Sequence, residues 1–323
     1  MQSRWRQGSG SITEAGGEMA KADEVRISGV RISSPDDVMY EEQGITKREL
    51  AEYYVAVAGS ILPFLRGRPL TLVRCPDGEG GACFYQRHAS GHVSPELRQV
   101  EVEKPDGGVS MHLAAESLKA VLSMVQMRVL ELHTWNARRD RLDRPDRMVL
   151  DLDPGPGVPW SGVVGAAFSF RDRLEELGLR SFVKTTGGKG VHVVVPLARR
   201  HSWEQVREFS RGLATEATRR APQHYLEHAS KADRKGRIFV DYLRNAWGAS
   251  IVTPFSTRSR PGAPVSTPLS WDELRSGAEP MDFTVRTVPE RLAALREDPW
   301  QGYAEAARQT ITRAALRKVQ PSS

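Results

Sequence analysis

The sequence predicts a mixed α+β fold whose centre is a split β-α-β sheet of the RRM-like kind. Between residues 148 and 243, segments with strand and helix periodicity follow one another in the order β-α-β-β-α-β, which is the order of that sheet. Two capping boxes, at residues 46–49 and 202–205, mark helix starts in front of amphipathic segments. In such a fold two helices cover one face of the sheet, and the other face is free to bind a ligand.

The 323 residues are expected to divide into four segments. Residues 1–24 are polar and rich in Gly and Ser, which is typical of a disordered tail. Residues 25–138 are expected to form an N-terminal α/β module, and residues 139–288 the RRM-like module. Residues 289–323 are expected to be a C-terminal helical segment.

In the N-terminal module, a helix is predicted over 47–62, ended by Pro63 because proline interrupts a helix. The other predicted elements of this module are strands over 70–74, 82–87 and 128–133 and a helix over 114–125. The charged run 139–147 is expected to connect the two modules. The RRM-like module is predicted to contain strands over 148–153, 180–185, 191–197 and 238–243 and helices over 161–177 and 202–220, followed by a Pro-rich loop over 261–288.

The charge balance favours a phosphate-rich partner. The formal net charge is +6, so DNA or RNA is electrostatically preferred, although a generic basic protein has the same balance. No apolar stretch reaches the length of about 18 residues that spans a membrane, and the N-terminus lacks the apolar region of a secretory signal. Two cysteines are too few for a disulfide scaffold, so the sequence predicts a cytoplasmic protein with no membrane partner.

Three aspartates are the strongest candidates for chemistry. Asp151 and Asp153 share one face of a predicted strand, opposite a face of apolar residues. Two such carboxylates repel each other unless a cation lies between them, and oxygen-rich acidic sites suit Mg²⁺ or Mn²⁺. Asp241, on a further strand of the same module, would complete a site for two ions. The alternative is that these aspartates cap turns or pair with arginine.

The turn at residues 186–190 (Thr-Gly-Gly-Lys-Gly) offers backbone amides, a lysine and a hydroxyl, which together suit a phosphate. It does not match a P-loop, because it links two strands and a glycine follows the lysine where Ser or Thr is required. Taken alone it is equally an ordinary glycine hairpin. His192, two residues into the next strand, is either a structural histidine or a functional one beside Lys189.

A zinc site is not expected. Cys75, Cys83, His88 and His92 lie close together in sequence, but seven residues separate the two cysteines. Structural zinc knuckles use about two to four.

Three segments, in order, resemble the motifs of the polymerase domain of bacterial DNA ligase D, a member of the archaeo-eukaryotic primase superfamily. They are Asp151-Leu-Asp153-Pro-Gly, Lys184-Thr-Thr-Gly-Gly-Lys-Gly-Val-His192 and Ile238-Phe-Val-Asp241-Tyr-Leu-Arg-Asn245. The resemblance extends from about residue 26 to 318, with flanking matches at 44–47, 68–72, 133–136 and 298–300.

The resemblance implies a DNA repair primase-polymerase, a nucleotidyltransferase that acts in non-homologous end joining. Such an enzyme adds nucleotides, preferably ribonucleotides, to 3′ ends at gaps and double-strand breaks. Its two Mn²⁺ or Mg²⁺ ions would be held by Asp151, Asp153 and Asp241. Its partners would be DNA ends and gaps with a 5′-phosphate, NTPs or dNTPs, the Ku protein, and a DNA ligase in cis or in trans.

The resemblance also implies roles for further residues. Those that resemble triphosphate contacts of the family are Thr186, Lys189, His192 and Arg258, with Arg234 near the same site. Phe84 and Tyr85 resemble an aromatic pair on which a base stacks, although the pattern alone fits a core strand equally well. His133 resembles a residue near the nucleotide sugar. Lys47 resembles part of a pocket for the DNA 5′-phosphate, but Asp37 stands where a basic residue is frequent and its carboxylate would repel the phosphate.

Two other functions fit parts of the pattern. A metal-dependent phosphohydrolase also uses Asp-x-Asp, but the haloacid-dehalogenase type generally continues with x-Thr or x-Val, whereas Pro154 and Gly155 follow here. An RRM-like nucleic-acid-binding module without catalysis normally places aromatic residues at the sheet centre, where this chain places aspartates. The pattern therefore favours a nucleotidyltransferase.

Overall fold

The computed structural model describes residues 23–89, 93–103, 107–228, 230 and 232–319. The strands are β1 (Glu24–Ile27), β2 (Val30–Ser33), β3 (Val38–Tyr40), β4 (Ile45–Thr46), β5 (Leu70–Arg74), β6 (Phe84–Gln86), β7 (Arg98–Glu103), β8 (Val109–Ala114), β9 (Val129–Trp135), β10 (Arg147–Pro154), β11 (Phe182–Thr185), β12 (Val191–Pro196), β13 (Tyr225–Leu226), β14 (Ile238–Asp241), β15 (Ser250–Val252) and β16 (Pro268–Leu269). The helices are α1 (Lys47–Ala56), α2 (Ala58–Leu65), α3 (Leu118–Gln126), α4 (Trp160–Glu176), α5 (Trp203–Arg220), α6 (Trp271–Arg275), α7 (Thr287–Ala294), α8 (Tyr303–Ala306) and α9 (Arg313–Val319).

The first of two large sheets, called the aspartate sheet below, has the strand order β13-β14-β10-β12-β11-β16. Its central strands and two helices follow the chain order β10-α4-β11-β12-α5-β14, so the predicted split β-α-β arrangement and the mixed α+β class are confirmed. Neighbouring strands are antiparallel except β13 and β14. The predicted capping box at 202–205 opens α5, where Ser202 Oγ accepts from the Gln205 amide.

The second sheet, called the flanking sheet, has the order β15-β9-β5-β8-β7, and β6 also pairs with β5. In sequence, strand β15 lies between β14 and β16 of the aspartate sheet, and yet it pairs with β9, with Val252 opposite His133. It belongs to the range assigned from sequence to the RRM-like module, so that range contributes to both sheets. Buried apolar residues of both sheets form one continuous core.

Strand β10 alternates as predicted, but its second face is not free along its whole length. Leu150 and Leu152 lie in the main core on one face. On the other face Val149 lies in a separate buried cluster, which also contains Val194, Phe182, Ile251 and Trp300. The flanking sheet and the C-terminal segment therefore cover one end of this face, and Asp151 and Asp153 occupy the end that stays open.

The charged run 139–147 is more than a connector, because Arg147 at its end is 1% exposed. Its Nε donates to Asn136 Oδ1 over 2.7 Å and its Nη2 donates to Thr134 Oγ1 over 2.7 Å. Both partners come from the segment that includes and follows β9. A buried guanidinium with polar partners thus joins the two sheets at the end of the segment predicted as a connector.

Two predicted helix boundaries are wrong. The first helix is interrupted at Val57 rather than ended by Pro63, and α2 runs through Pro63 to Leu65. The restart after Val57 places Pro63 opposite the carbonyl of Gly59, in the first turns of α2, so little of the hydrogen-bond ladder precedes it. The helix predicted to start at 114 starts at Leu118, because Ala114 ends β8 opposite Arg98.

The two cysteines form a disulfide bridge that joins the end of β5 to the residue before β6, with Cα atoms 4.3 Å apart. It is a single bridge across a loop and not a scaffold. Both Cys75 and Cys83 sulfurs are therefore in the bridge rather than available as thiolate ligands. His92, the last member of the zinc set considered from sequence, lies outside the described residues.

The predicted disordered tail overlaps the first strand at one residue, because β1 begins at Glu24. Residues 1–22 lie outside the described part of the chain. Within the described ranges, no helix combines the length and the apolar character needed to cross a membrane.

Trp300 packs the C-terminal segment against both helix α2 and the aspartate sheet. It is 3% exposed, and its Nε1 donates to the Val183 carbonyl of β11 over 2.8 Å. Its ring lies 5.3 Å from the ring of Phe64, 5.9 Å from that of Phe182 and 5.0 Å from that of Tyr303, which it stacks on.

Replacing Trp300 with alanine is expected to lower the free energy of unfolding by about 3–5 kcal/mol, because it leaves a cavity among three rings and an unpaired carbonyl. Urea unfolding of both proteins measures this difference. Met281→Ala is the control, since Met281 is 58% exposed and its loss should change stability by less than about 0.5 kcal/mol. Equal effects of the two substitutions would contradict the structural role of Trp300.

His112 on β8 is a buried histidine that makes the free energy of unfolding depend on pH. It is 5% exposed, and burial, together with the charges of His88 and Arg87, lowers the pKa of His112 to about 4 against an opposing hydrogen bond to Leu70. An unfolded histidine has a pKa of about 6.5. Between these values the unfolded chain binds a proton that the folded chain does not, so stability falls as pH drops from 6.5 to 4.

Replacing His112 with glutamine removes this proton uptake, and the loss of stability between pH 6.5 and 4 should shrink by up to about 3 kcal/mol. Urea midpoints at half-unit pH intervals measure the difference between variant and wild type. His228→Gln, at a side chain that is 60% exposed, is the matched control and should follow the wild-type profile. If stability depends on pH in His112→Gln as it does in the wild type, the lowered pKa of His112 is contradicted.

Candidate functional site

The candidate site is a cavity of about 650 Å³ where the open end of β10 meets the flanking sheet. Strands β9, β10, β12 and β15 and the turn at 186–190 supply its walls. The residues that line it are Thr71, Tyr85, Arg87, His133, Asp151, Asp153, Thr186, Gly188, Lys189, Gly190, His192, Arg244, Trp247, Gly248, Ala249, Ser250, Ile251, Val252, Arg258 and Arg260. Acidic and basic side chains therefore line the same cavity.

The three aspartates meet as predicted. Asp151 on β10 is directly opposite Asp241 on β14, and Asp153 is two residues further along the same face. The Arg244 Nε lies 3.3 Å from Asp151 Oδ2 and 3.1 Å from Asp241 Oδ2. Arg234 Nη1 donates to Asp153 Oδ2 over 2.7 Å. Guanidinium groups thus balance the carboxylates.

The carboxylates differ in their tendency to ionise. Burial acts to raise the pKa of Asp151, but His192, Arg244 and Lys184 outweigh it and hold that pKa well below its usual range. For Asp153 and Asp241, burial and the charge of Asp151 raise the pKa above its usual value in spite of the neighbouring arginines. The cluster therefore has one firmly ionised member and two that gain most from an added cation.

The donor set fits a divalent cation in chemical type, because three carboxylates share one face of adjacent strands. Their oxygens currently contact arginine and histidine. Accordingly, no set of three acidic, histidine or cysteine side chains in the described ranges already has its donor atoms gathered around one point. Arg244 is 44% exposed, so it has room to move away from the carboxylates.

The turn at 186–190 is shaped by its own hydrogen bonds and by close contacts. The Thr186 amide and hydroxyl both donate to the Gly190 carbonyl over 3.1 Å. Gly187 has φ +65°, and a Cβ there would lie 2.7 Å from Arg258 Cγ, so glycine is required. The turn thereby brings Lys189 and Arg258 to one side of the cavity. The Thr186 hydroxyl is engaged within the turn.

His192 stands beside the aspartates. It is 3% exposed, and its Nε2 lies 3.4 Å from Asp151 Oδ1. Burial and the charge of Lys184 lower the pKa of His192 to about 4, so the ring is neutral at neutral pH. Lys184 itself is fully buried, and burial holds its pKa well below the usual value.

A carboxylate that sequence patterns did not single out connects two of the predicted residues. Glu131 on β9 is 4% exposed. Its Oε2 lies 2.7 Å from His133 Nε2 and 3.0 Å from Arg258 Nε. Its Oε1 accepts from both the amide and the hydroxyl of Ser259 over 2.9 Å. The Arg258 Nη1 in turn donates to the Thr186 carbonyl.

The aromatic pair is on the surface and not in the core. Phe84 is 46% and Tyr85 66% exposed, so the core-strand alternative is wrong for this segment. Tyr85 lines the cavity, and its ring lies 6.3 Å from that of His133. Phe84 is outside the lining and lies under the guanidinium of Arg74, 5.6 Å away.

Lys47, like the predicted site residues Phe84, Arg234 and Asp241, is outside the cavity lining. It is 2% exposed, and its Nζ donates to the Ser33 carbonyl over 2.8 Å. Burial lowers the pKa of Lys47. Asp37 forms an ion pair with Arg128, so its charge is balanced locally.

Several cavity residues had no role assigned from sequence, notably Arg244, Arg260 and Trp247. Arg244 falls inside the third motif, three residues after Asp241, and this spacing was the available signal. Arg260 follows Arg258 by two in a bend in which the Arg260 amide donates to the Arg258 carbonyl over 2.9 Å, and both line the cavity. Glu131 carried no local signal, because its partners are set by the fold.

The family model of the LigD primase-polymerase domain matches residues 46–300 of this chain. The chain is 42% identical over 301 residues to the multifunctional non-homologous end joining protein LigD of Pseudomonas aeruginosa, a match covering 93% of this chain and 36% of that protein. It is 29% identical over 265 residues to the bifunctional non-homologous end joining protein LigD of Bacillus subtilis, covering 81% of this chain and 42% of that protein.

Among solved structures, the polymerase domain from Mycobacterium tuberculosis ligase D in complex with DNA superposes with a TM-score of 0.79 at 26% identity. The match covers 85% of this chain and 98% of that one. The chain therefore spans well under half of the length of the P. aeruginosa and B. subtilis proteins and nearly all of this single domain.

Proposed function

This chain belongs to the LigD primase-polymerase family, and on that premise we propose that it is a nucleotidyltransferase that extends DNA 3′ ends at gaps and double-strand breaks during non-homologous end joining. The observation that carries the proposal is one cavity lined by Asp151 and Asp153 together with basic side chains, with Asp241 directly opposite Asp151 on the adjacent strand. A nucleoside triphosphate needs both, because its reacting phosphate requires cations and its tail requires positive side chains.

The aspartates Asp151, Asp153 and Asp241 would hold two Mn²⁺ or Mg²⁺ ions. When bound there, the ions supply charge stabilisation at the attacking 3′-hydroxyl and at the departing pyrophosphate. The chain's own contribution is to keep the three carboxylates on one face while Arg234 and Arg244 balance their charge in the absence of substrate.

The basic wall would bind the triphosphate. Lys189, Arg258 and Arg260 line the cavity with the 186–190 turn, and the neutral His192 in the same lining has its Nε2 3.4 Å from Asp151 Oδ1. Tyr85, at the other end, offers an exposed ring on which a base stacks without sequence preference. His133 lies between the ring and the basic wall, where a nucleotide sugar belongs, and we assign the family's preference for ribonucleotides to this position.

The relatives' names support DNA repair partners. The structural relative was solved with DNA, and the P. aeruginosa and B. subtilis relatives are end-joining proteins. We propose gapped and broken DNA as substrate, with Ku and a DNA ligase as partners in cis or in trans. Because Lys47 is buried and Asp37 is paired with Arg128, recognition of the DNA 5′-phosphate would require these side chains to rearrange.

Extension of a labelled primer across a short 5′-phosphorylated gap tests the function. The wild type should extend the primer with NTPs and less well with dNTPs, and EDTA should abolish the reaction. Asp151→Asn and Asp241→Asn keep the side-chain shape but remove a charge, and each should lower the rate at least about a hundredfold.

Asp172→Asn is the matched control, because Asp172 lies on α4 and its side chain is 58% exposed. This variant should keep the wild-type rate. A folded wild-type protein that binds gapped DNA but extends no primer with either ion would overturn the polymerase proposal and favour a nucleic-acid-binding module without catalysis.

Tyr85→Ala should weaken binding of the incoming nucleotide or template base by about 1–3 kcal/mol, because a stacking surface is lost. Tyr85→Phe should restore it, since the ring is what matters. The KM for each NTP on the gapped substrate gives the readout. Phe84→Ala, at the neighbouring ring outside the cavity, should change the nucleotide KM less. A KM unchanged by Tyr85→Ala would remove Tyr85 from the nucleotide site.

A further inference from the structure

The buried carboxylate of Glu131 has three hydrogen-bond contacts and one ion-pair contact. The Ser259 amide and hydroxyl donate to its Oε1, whereas His133 Nε2 and Arg258 Nε approach its Oε2. Glu131 lies on β9, facing the junction of the two sheets, and only 4% of it is exposed. It contacts neither the cavity volume nor any of the three aspartates directly, so its influence on a ligand must pass through its partners.

The 2.7 Å contact between His133 Nε2 and Glu131 Oε2 determines which nitrogen of His133 carries the proton. His133 and Arg258 act against the effect of burial and hold the pKa of Glu131 far below its usual range, so the carboxylate has no proton to donate. The hydrogen in the contact therefore belongs to His133 Nε2. Burial lowers the pKa of His133, so at neutral pH the ring has a single proton and Nδ1 is a bare acceptor.

We propose that Glu131 is a positioning residue for nucleotide recognition. It holds His133 as the Nε2–H tautomer, so that Nδ1 accepts a hydrogen bond from a sugar hydroxyl, and it holds Arg258 against the 186–190 turn beneath the triphosphate. One carboxylate thus couples recognition of the sugar to recognition of the phosphates. The inference rests on the proposed function, because it takes the cavity ligand to be a nucleoside triphosphate.

Glu131→Gln separates this role from simple packing. The two Ser259 donors should orient the glutamine carbonyl toward themselves, which turns the amide NH₂ toward His133 and Arg258. His133 Nε2 must then accept, its proton must move to Nδ1, and Arg258 loses its counter-charge. A residue that only fills space would leave the tautomer of a neighbouring ring unchanged.

Two measurements follow, both without primer. The first is the ¹⁵N spectrum of histidine-labelled protein, with His133 assigned by its loss in His133→Gln. The wild type should show a protonated Nε2, and Glu131→Gln a protonated Nδ1. The second is equilibrium binding, in the presence of Mn²⁺, of ATP and of its 2′-fluoro and 3′-fluoro analogues, in which an acceptor without a hydrogen replaces one hydroxyl.

One of the two analogues has fluorine in place of the hydroxyl that donates to His133 Nδ1. The wild type should bind that analogue about tenfold more weakly than ATP, because two acceptors then face each other. In Glu131→Gln the ATP affinity should fall about tenfold and the discrimination should narrow to about twofold, since Nδ1–H tolerates an acceptor. Glu101→Gln on the exposed side of β7 is the matched control and should behave as the wild type.

An unchanged His133 tautomer together with unchanged discrimination in Glu131→Gln would overturn the inference. Should that variant not fold, Glu131→Asp is the substitute, because it withdraws the carboxylate by one methylene. A mixture of both His133 tautomers with weaker ATP binding is then expected. Wild-type tautomer and ATP affinity in Glu131→Asp would overturn the inference equally. A wild type that binds ATP with the expected tautomer but extends no primer would refute polymerisation alone. A wild type that binds no ATP would refute the inference.

Discussion

Mutual repulsion of three aspartates on one sheet face is the constraint around which this molecule is built. Asp151 and Asp241 are register partners on adjacent antiparallel strands, and Asp153 lies two residues along. Arg234 and Arg244 balance their charges, the neutral His192 ring contacts Asp151, and the Leu243 amide donates to Asp241. Both counter-charges are arginine side chains, so the acidic face is balanced by groups that can change rotamer.

The junction of two sheets supplies the rest of the site. Asn245 fixes the end of the third motif to β10, because its Oδ1 accepts from the Val149 amide over 2.8 Å and its Nδ2 donates to the Val149 carbonyl over 2.7 Å. The chain then crosses to β9 as β15, which brings Arg258 beside Glu131. Residues distant in sequence thus meet in one cavity because a single crossing segment serves both sheets.

The aspartate sheet could be predicted because its signals are local: alternation along β10, a capping box at α5 and a glycine turn between β11 and β12. The rest depended on distant pairing. Nothing near residues 250–252 indicates that they complete the other sheet, and Glu131 resembles any strand residue until Ser259 is placed beside it. Lys47 matched a family motif by position, yet its environment is set by Ser33, so its burial was not predictable. The prediction that Pro63 ends the first helix was wrong because the helix is already interrupted at Val57, and Pro63 lies inside α2.

Trp300 has a consequence for the biogenesis of the chain. Its ring partners, Phe64 and Phe182, and its carbonyl partner on β11 are all synthesised well before it. On the ribosome, both sheets can form while the apolar surface around these two rings remains uncovered. Trp300 can pack on these rings only after residue 300 has left the exit tunnel. Until then the nascent chain exposes the apolar surface around Phe64 and Phe182 to chaperones and to neighbouring nascent chains. The packing of Trp300 is therefore a late step in the folding of this domain, and both sheets can form before it.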